Sequence, residues 1–157
     1  MTRAAVFATL LLCGCAAAGA QSGTPLAAAR PTPQEIVAAR QAAFGLTASA
    51  FGGLRGAVQG GGDLKPVAGA ARNIARWADA IPSMFPDRTE LATSKAKAGI
   101  WQNRADFEAK AAALAAAARA LAEAAESGDR AAVGTRLGAV GQACGACHDA
   151  YRLETAH

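Results

Sequence analysis

Residues 111–126 read AAALAAAARALAEAAE. Alanine has the highest helix propensity of any residue, and leucine, arginine and glutamate follow closely, so the run predicts a helix. The surrounding pattern says which face is buried. Ile100, Phe107, Leu114 and Leu121 recur every seven residues, with Ala111, Ala118 and Ala125 between them. This is one apolar seam on a helix predicted over 96–127.

The same rhythm continues on both sides. Ser127-Gly128-Asp129 supplies a terminating glycine and a new cap, and the next helix is predicted over 130–154. Its seam is Val133, Leu137, Val140, Cys144, Cys147 and Tyr151. Upstream, 82–95 (PSMFPDRTELATSK) is the longest irregular stretch, and Pro82 closes a helix predicted over 64–81 that Asp63 caps. Leu64, Val67, Ala71, Ile74, Ala78 and Ile81 form its seam. The first helix, 33–59, opens on Thr32-Pro33-Gln34-Glu35, a capping box with proline in the first turn, and ends at Gly60-Gly61-Gly62. Four one-sided helices, no strands and short connections after the first and third give an all-α fold, an up-down-up-down antiparallel four-helix bundle over 33–154.

Composition narrows the function. Of 157 residues, 52% are hydrophobic and 18% charged, which excludes a disordered chain. With 5 Phe, 2 Trp and 1 Tyr, the core must be filled by small side chains or by something other than protein. A net charge of +4 without a dense Lys/Arg tract argues against a nucleic-acid binder. Arg3, the apolar run 4–12 (AAVFATLLL) and Ala18-Gly19-Ala20 read as a signal peptide over 1–20, followed by a flexible leader over 21–32. The apolar run is far short of the roughly 20 residues of a membrane span. Leu12-Cys13-Gly14-Cys15 offers a competing lipoprotein cleavage that would leave Cys15 lipidated.

The chemistry lies at the end of the last helix, in Cys144-Gly145-Ala146-Cys147-His148. Cys-x-x-Cys-His is the attachment sequence of c-type haem. Residues i, i+3 and i+4 share a helical face, so both thiols can reach the vinyl edge of one porphyrin while His148 serves as the axial iron ligand. Export agrees, because this haem is attached outside the cytoplasm. A zinc site would need about four ligands, and only His157 could be added to these three. A thioredoxin-like motif needs a βαβ unit. A disulfide between Cys144 and Cys147 is the remaining alternative.

The second axial position decides the behaviour of the iron. Met84 is the only methionine after Met1, and His157 is terminal. The seam of the first helix, Val37, Arg40, Phe44, Thr47, Phe51, Leu54 and Val58, contains an arginine, which is costly to bury unpaired. A haem propionate is one partner for Arg40; reaching out to solvent is the alternative. If Arg40 meets the porphyrin edge, Phe44 covers the distal face one turn on and cannot ligate iron, which leaves five-coordinate, high-spin iron. The alternative is a low-spin electron carrier with Met84 as sixth ligand. No distal hydrogen-bond donor is evident, which argues against dioxygen binding, and no distal acid–base residue is evident, which argues against a haem enzyme such as a peroxidase.

These residues resemble the class II c-type cytochromes, within them cytochrome c′. The resemblance covers 33–154 and rests on Cys144 to Arg152 (CGACHDAYR) and Arg40 to Phe44 (RQAAF). It implies a periplasmic four-helix bundle with one covalent haem c inside one end, and a homodimer through the first two helices. It places Arg40 and Gln41 at the propionates, Phe44 at the distal position, where low-spin relatives have methionine, and Arg152 beside the proximal histidine. Arg152 is equally a favourable cation at a helix end. The segment Ser94 to Trp101 (SKAKAGIW) departs from the family pattern, and Ser94 as a propionate contact is carried over through it. The implied activity is single-electron transfer with a redox partner protein and binding of nitric oxide and carbon monoxide. Nitric oxide detoxification or sensing is the alternative role.

Overall fold

A computed structural model describes residues 30–154. The proposed signal peptide, Cys15, most of the leader and His157 lie outside them. The described chain forms α1 (Pro33–Gln59), α2 (Lys65–Ala80), a 3-10 turn (Ile81–Met84), α3 (Gly99–Gln102), α4 (Arg104–Ser127) and α5 (Arg130–Tyr151). The long helices α1, α2, α4 and α5 make the four-helix bundle.

Local signals act where the sequence puts them. Thr32 and Glu35 form the reciprocal capping box: Glu35 N donates to Thr32 Oγ1 (3.3 Å), and Thr32 N to Glu35 Oε2 (2.7 Å). Gly128 ends α4 with a φ of 77°, a left-handed conformation that glycine adopts without steric penalty. Asp129 caps α5 by accepting from Ala132 N (3.0 Å). Asp63 accepts from Lys65 N (3.0 Å), but the residue bordering α2 is Leu64, already in the helical region.

Two boundaries differ from expectation for one shared reason. The third predicted helix does not begin at residue 96, and the fourth does not run to 154. Ala96 and Arg152 form an antiparallel bridge, Lys97 N donates to Tyr151 O (2.9 Å) and Leu153 N to Lys95 O (2.8 Å). These backbone groups are therefore used across the bundle end instead of in helices. Helix resumes at Gly99, breaks at Asn103 (φ −126°, ψ 59°), and restarts as α4.

α4 lies at the centre and packs extensively on both α2 and α5. Its buried alanines, Ala111, Ala115, Ala118, Ala122, Ala124 and Ala125, leave little side chain between neighbouring backbones. α1 rests on α2 and touches α5 only sparsely, while α2 and α5 make no contact and lie diagonally across the bundle. Every predicted seam residue of α2 and α4 is buried. On α1 and α5 the seams are buried except at Phe44, Thr47, Phe51, Val58, Cys144 and Cys147, which are half-buried. All of these but Val58 border one internal cavity.

Leu121 is fully buried on the central helix. Leu121→Ala is expected to destabilise the fold by about 3 kcal/mol, the usual range for a leucine truncated in a closed core. A urea melt followed by far-ultraviolet circular dichroism reads this as a lowered midpoint with an unchanged slope.

Candidate functional site

The last turns of α5 carry Cys144, Cys147 and His148, all half-buried. The two cysteines are free. Burial pushes both thiols above their ordinary pKa. Burial, then the nearby Arg152 charge, lowers the pKa of His148, which favours the neutral imidazole that ligates metals.

These residues form one wall of a cavity of about 570 Å³, within the roughly 300–1,000 Å³ usual for ligand and cofactor sites. Phe44, Thr47 and Phe51 of α1 border it, with Ile74 and Trp77 of α2 and Phe107 and Leu114 of α4. The lining is mostly apolar. Its charged members are all cationic, Arg40, Lys95 and Arg152, and no carboxylate borders the space.

Arg40 is 2% exposed, so it does not reach out to solvent. Nη1 donates to Met84 O (3.2 Å) and Thr89 Oγ1 (2.8 Å); Nη2 donates to Thr89 O (2.8 Å) and Ser94 Oγ (2.7 Å). The guanidinium also lies 4.2 Å from the centre of the Phe85 ring. Burial pulls its pKa down. Every polar partner is neutral, and among the described residues no carboxylate pairs with Arg40. The sequence foresaw that Arg40 needs a partner but not that the 84–94 segment would supply four acceptor contacts. Thr89 and Phe85 were missed, because nothing local in an irregular stretch marks a residue that closes over a distant arginine.

Gln41 Nε2 donates to Thr93 O (2.8 Å), so Gln41 and Arg40 both fasten the same segment to α1. Ser94 Oγ also accepts from Ala96 N (3.1 Å). Met84 does not border the cavity. Among the described residues, no cluster of three or more His, Cys, Asp or Glu could hold a metal ion unaided.

Residues 35–152 match the family model of cytochrome C′. The chain belongs to the cytochrome c′ family. It is 38% identical over 92 residues to cytochrome c-556 of Agrobacterium tumefaciens, covering 59% of this chain and 74% of that protein. Among solved structures it resembles a cytochrome c′ with an unusual ligand-controlled dimer dissociation (30% identity, TM-score 0.75, 80% of this chain and 100% of the other). It also resembles the nitric oxide complex of a leucine-to-alanine variant of cytochrome c prime from Alcaligenes xylosoxidans (30% identity, TM-score 0.73, 80% and 99%).

Cytochromes c′ carry one covalently bound haem c. The residues present fit that group. A flat apolar macrocycle with two carboxylates suits an apolar cavity whose lining holds cations and no anion. Two unpaired thiols and an imidazole share one wall.

Behind the cavity, Tyr151 packs edge-on against Phe107 (centroids 5.3 Å apart), and its hydroxyl donates to Asp106 Oδ2 (2.5 Å). This anchors α5 to α4 beside the cysteines, a role the sequence did not reveal, although Tyr151 lies on the predicted seam. The bond to Asp106 raises the Tyr151 pKa to about 12. The protonated phenol is the form favoured in the fold. This stabilisation is therefore complete below the ordinary tyrosine pKa near 10 and disappears as pH rises through about 12. Tyr151 is the only tyrosine. An ultraviolet titration should show a single phenol midpoint well above the ordinary value, and Asp106→Asn should bring it down.

Proposed function

We propose that this cytochrome c′ is an exported, periplasmic protein that transfers single electrons and binds small diatomic gases. Cys144 and Cys147 hold one haem c by thioethers, and His148 is the only protein ligand to its iron. The observation that carries this reading is the makeup of the cavity wall facing α5. Phe44 stands there, and no methionine or second histidine borders the space. Met84 spends its carbonyl on Arg40 and lies off the lining, which speaks against the low-spin alternative.

When bound, haem c supplies one-electron chemistry and an open iron position. The chain's residues do the rest. Arg40 places a buried positive charge at one end of the cavity, where a haem propionate would supply the missing anion; Gln41 and Ser94 hold the segment that frames that end. Arg152, at the C-terminal end of α5, adds positive charge beside His148. Phe44 excludes side-chain ligands and water from the far face while leaving room for a diatomic molecule. The nitric oxide complex of the Alcaligenes relative supports gas binding here. Handling of nitric oxide, by buffering or sensing, fits the same site.

Residues 33–154 form the haem domain, and the mature protein is a homodimer through α1 and α2. The outward face of α1 supports this. Ala38, Ala42, Gly45, Ser49, Gly52 and Gly56 are exposed, with Leu46 beside them at 74% exposure, so a second copy can approach closely. Among the described residues, no helix is long and apolar enough to cross a membrane.

One visible spectrum of the purified protein tests the reading. A broad Soret band with a weak band in the red is expected for high-spin iron. Phe44→Met should convert it to the sharp α and β bands of a low-spin centre. Sharp bands in the unchanged protein, or a spin state indifferent to Phe44→Met, would sink the assignment of the distal face.

A further inference from the structure

Phe51 borders two spaces at once. On one side is the cavity of about 570 Å³; on the other is a groove of about 350 Å³ at the surface between α1 and α5. Arg55 and Gln59 of α1 and Gly134, Leu137, Gly138 and Gly141 of α5 complete the groove. Phe51 is the one residue that the two linings share, so its side chain divides them.

The ring is half-buried and sits differently from the other phenylalanines. Phe44, Phe85 and Phe107 each stack on another ring, whereas Phe51 has no aromatic neighbour among the described residues. It lies on bare backbone, since a Cβ added at Gly141 would come 3.4 Å from Phe51 Cζ. Around it α1 and α5 touch only sparsely. Outside the ring the groove is open: a Cβ added at Gly134 or Gly138 would meet no atom within 4 Å. A ring without interlocking neighbours changes rotamer more freely than one in a close-packed core.

The location suits uncharged traffic. Eleven residues separate Phe51 from Arg40, about 16 Å of helix. Lys95 and Arg152 belong to the Arg40 end, through Ser94 and the bridge of Ala96 to Arg152. The inner side of Phe51 therefore opens on the end of the cavity away from its cations, under the helix that carries Phe44. Carbon monoxide and nitric oxide lose little on leaving water for such a space, whereas an ion would lose its hydration without compensation.

We propose that Phe51 is the gate of a side entrance through which neutral diatomic gases pass between the α1–α5 groove and the haem cavity. This rests on the haem reading above and deepens it: Phe44 governs what can stand at the far face of the iron, and Phe51 governs arrival and departure.

Carbon monoxide is the probe, and the sample is the whole haem-loaded protein in its reduced form. A gate changes the speed of passage in both directions and leaves the strength of binding alone. Gly138→Leu fills the groove where nothing obstructs a new side chain, and it raises helix propensity. It should slow carbon monoxide association and dissociation by one common factor of about tenfold, equivalent to about 1.4 kcal/mol of barrier. Phe51→Ala should speed both. Gly69→Leu, at an equally open glycine of α2 outside both linings, should change neither. Xenon gives a readout that does not use the iron. In the diamagnetic carbon monoxide complex, dissolved xenon should shift the Leu137 methyl signals in nuclear magnetic resonance, and Gly138→Leu should abolish the shift. Unchanged rates in Gly138→Leu overturn the proposal, as do rates whose ratio moves, or Leu137 signals indifferent to xenon. A product with no Soret absorbance fails earlier and differently: it removes the haem reading itself, and this proposal with it.

Discussion

The alanine face of α4 sets the spacing on which the rest of the structure depends. Where alanines meet α2 and α5, little side chain separates the backbones and the contacts are dense. At the end occupied by Phe44, Trp77, Phe85, Phe107 and Tyr151 the bundle has rings instead, and rings cannot interdigitate as closely as methyl groups. They meet edge to face, or tilted in the case of Phe44 and Phe85, with centroids 5.0–6.2 Å apart along the chain from Trp77 through Phe44, Phe85 and Phe107 to Tyr151. Such geometry favours the pairs themselves, and all five of these rings border the cavity.

The buried guanidinium of Arg40 is the electrostatic counterpart of that volume. Removing a charge from water is expensive, and neutral acceptors recover only part of the loss. Thr89, Ser94 and the Met84 carbonyl orient the charge, and the Phe85 ring covers one side of it, yet none of them neutralises it. An anion at this end of the cavity, as proposed for a haem propionate, would complete the arrangement. The same contacts also explain why residues 85–98 hold a defined course without regular structure: they are pinned from α1 by Arg40 and Gln41 and from α4 by Arg104, which donates to Phe85 O (3.0 Å) and Pro82 O (2.7 Å).

What the sequence could reveal followed from periodicity and from covalent chemistry. Seams such as Ile100–Phe107–Leu114–Leu121 are repeated many times, so the four long helices, their boundaries at Thr32 and Gly128, and the shared face of Cys144 and Cys147 could all be read directly. Contacts made once, between distant segments, could not. The bridge of Ala96 to Arg152 overrode a good helical pattern at both ends. Thr89 is a single polar residue in an irregular stretch until the fold brings it to Arg40. Trp77 falls between seam positions Ile74 and Ala78, so periodicity gave no reason to turn it toward the cavity. A lone pair of residues meeting across the bundle carries no repeating signal.

α1 joins these features into one mechanical element. Its inner face supplies Arg40, Phe44, Thr47 and Phe51 to the cavity, and its outer face is the smooth, nearly uncharged surface proposed for the dimer. Its packing on α5 is the thinnest in the bundle. In the proposed dimer, material bound between α5 and Phe44 would reach the pairing surface through α1, and any such coupling would act equally in both directions, as linkage requires. No separate communication path is needed, since the two sites are opposite faces of one helix.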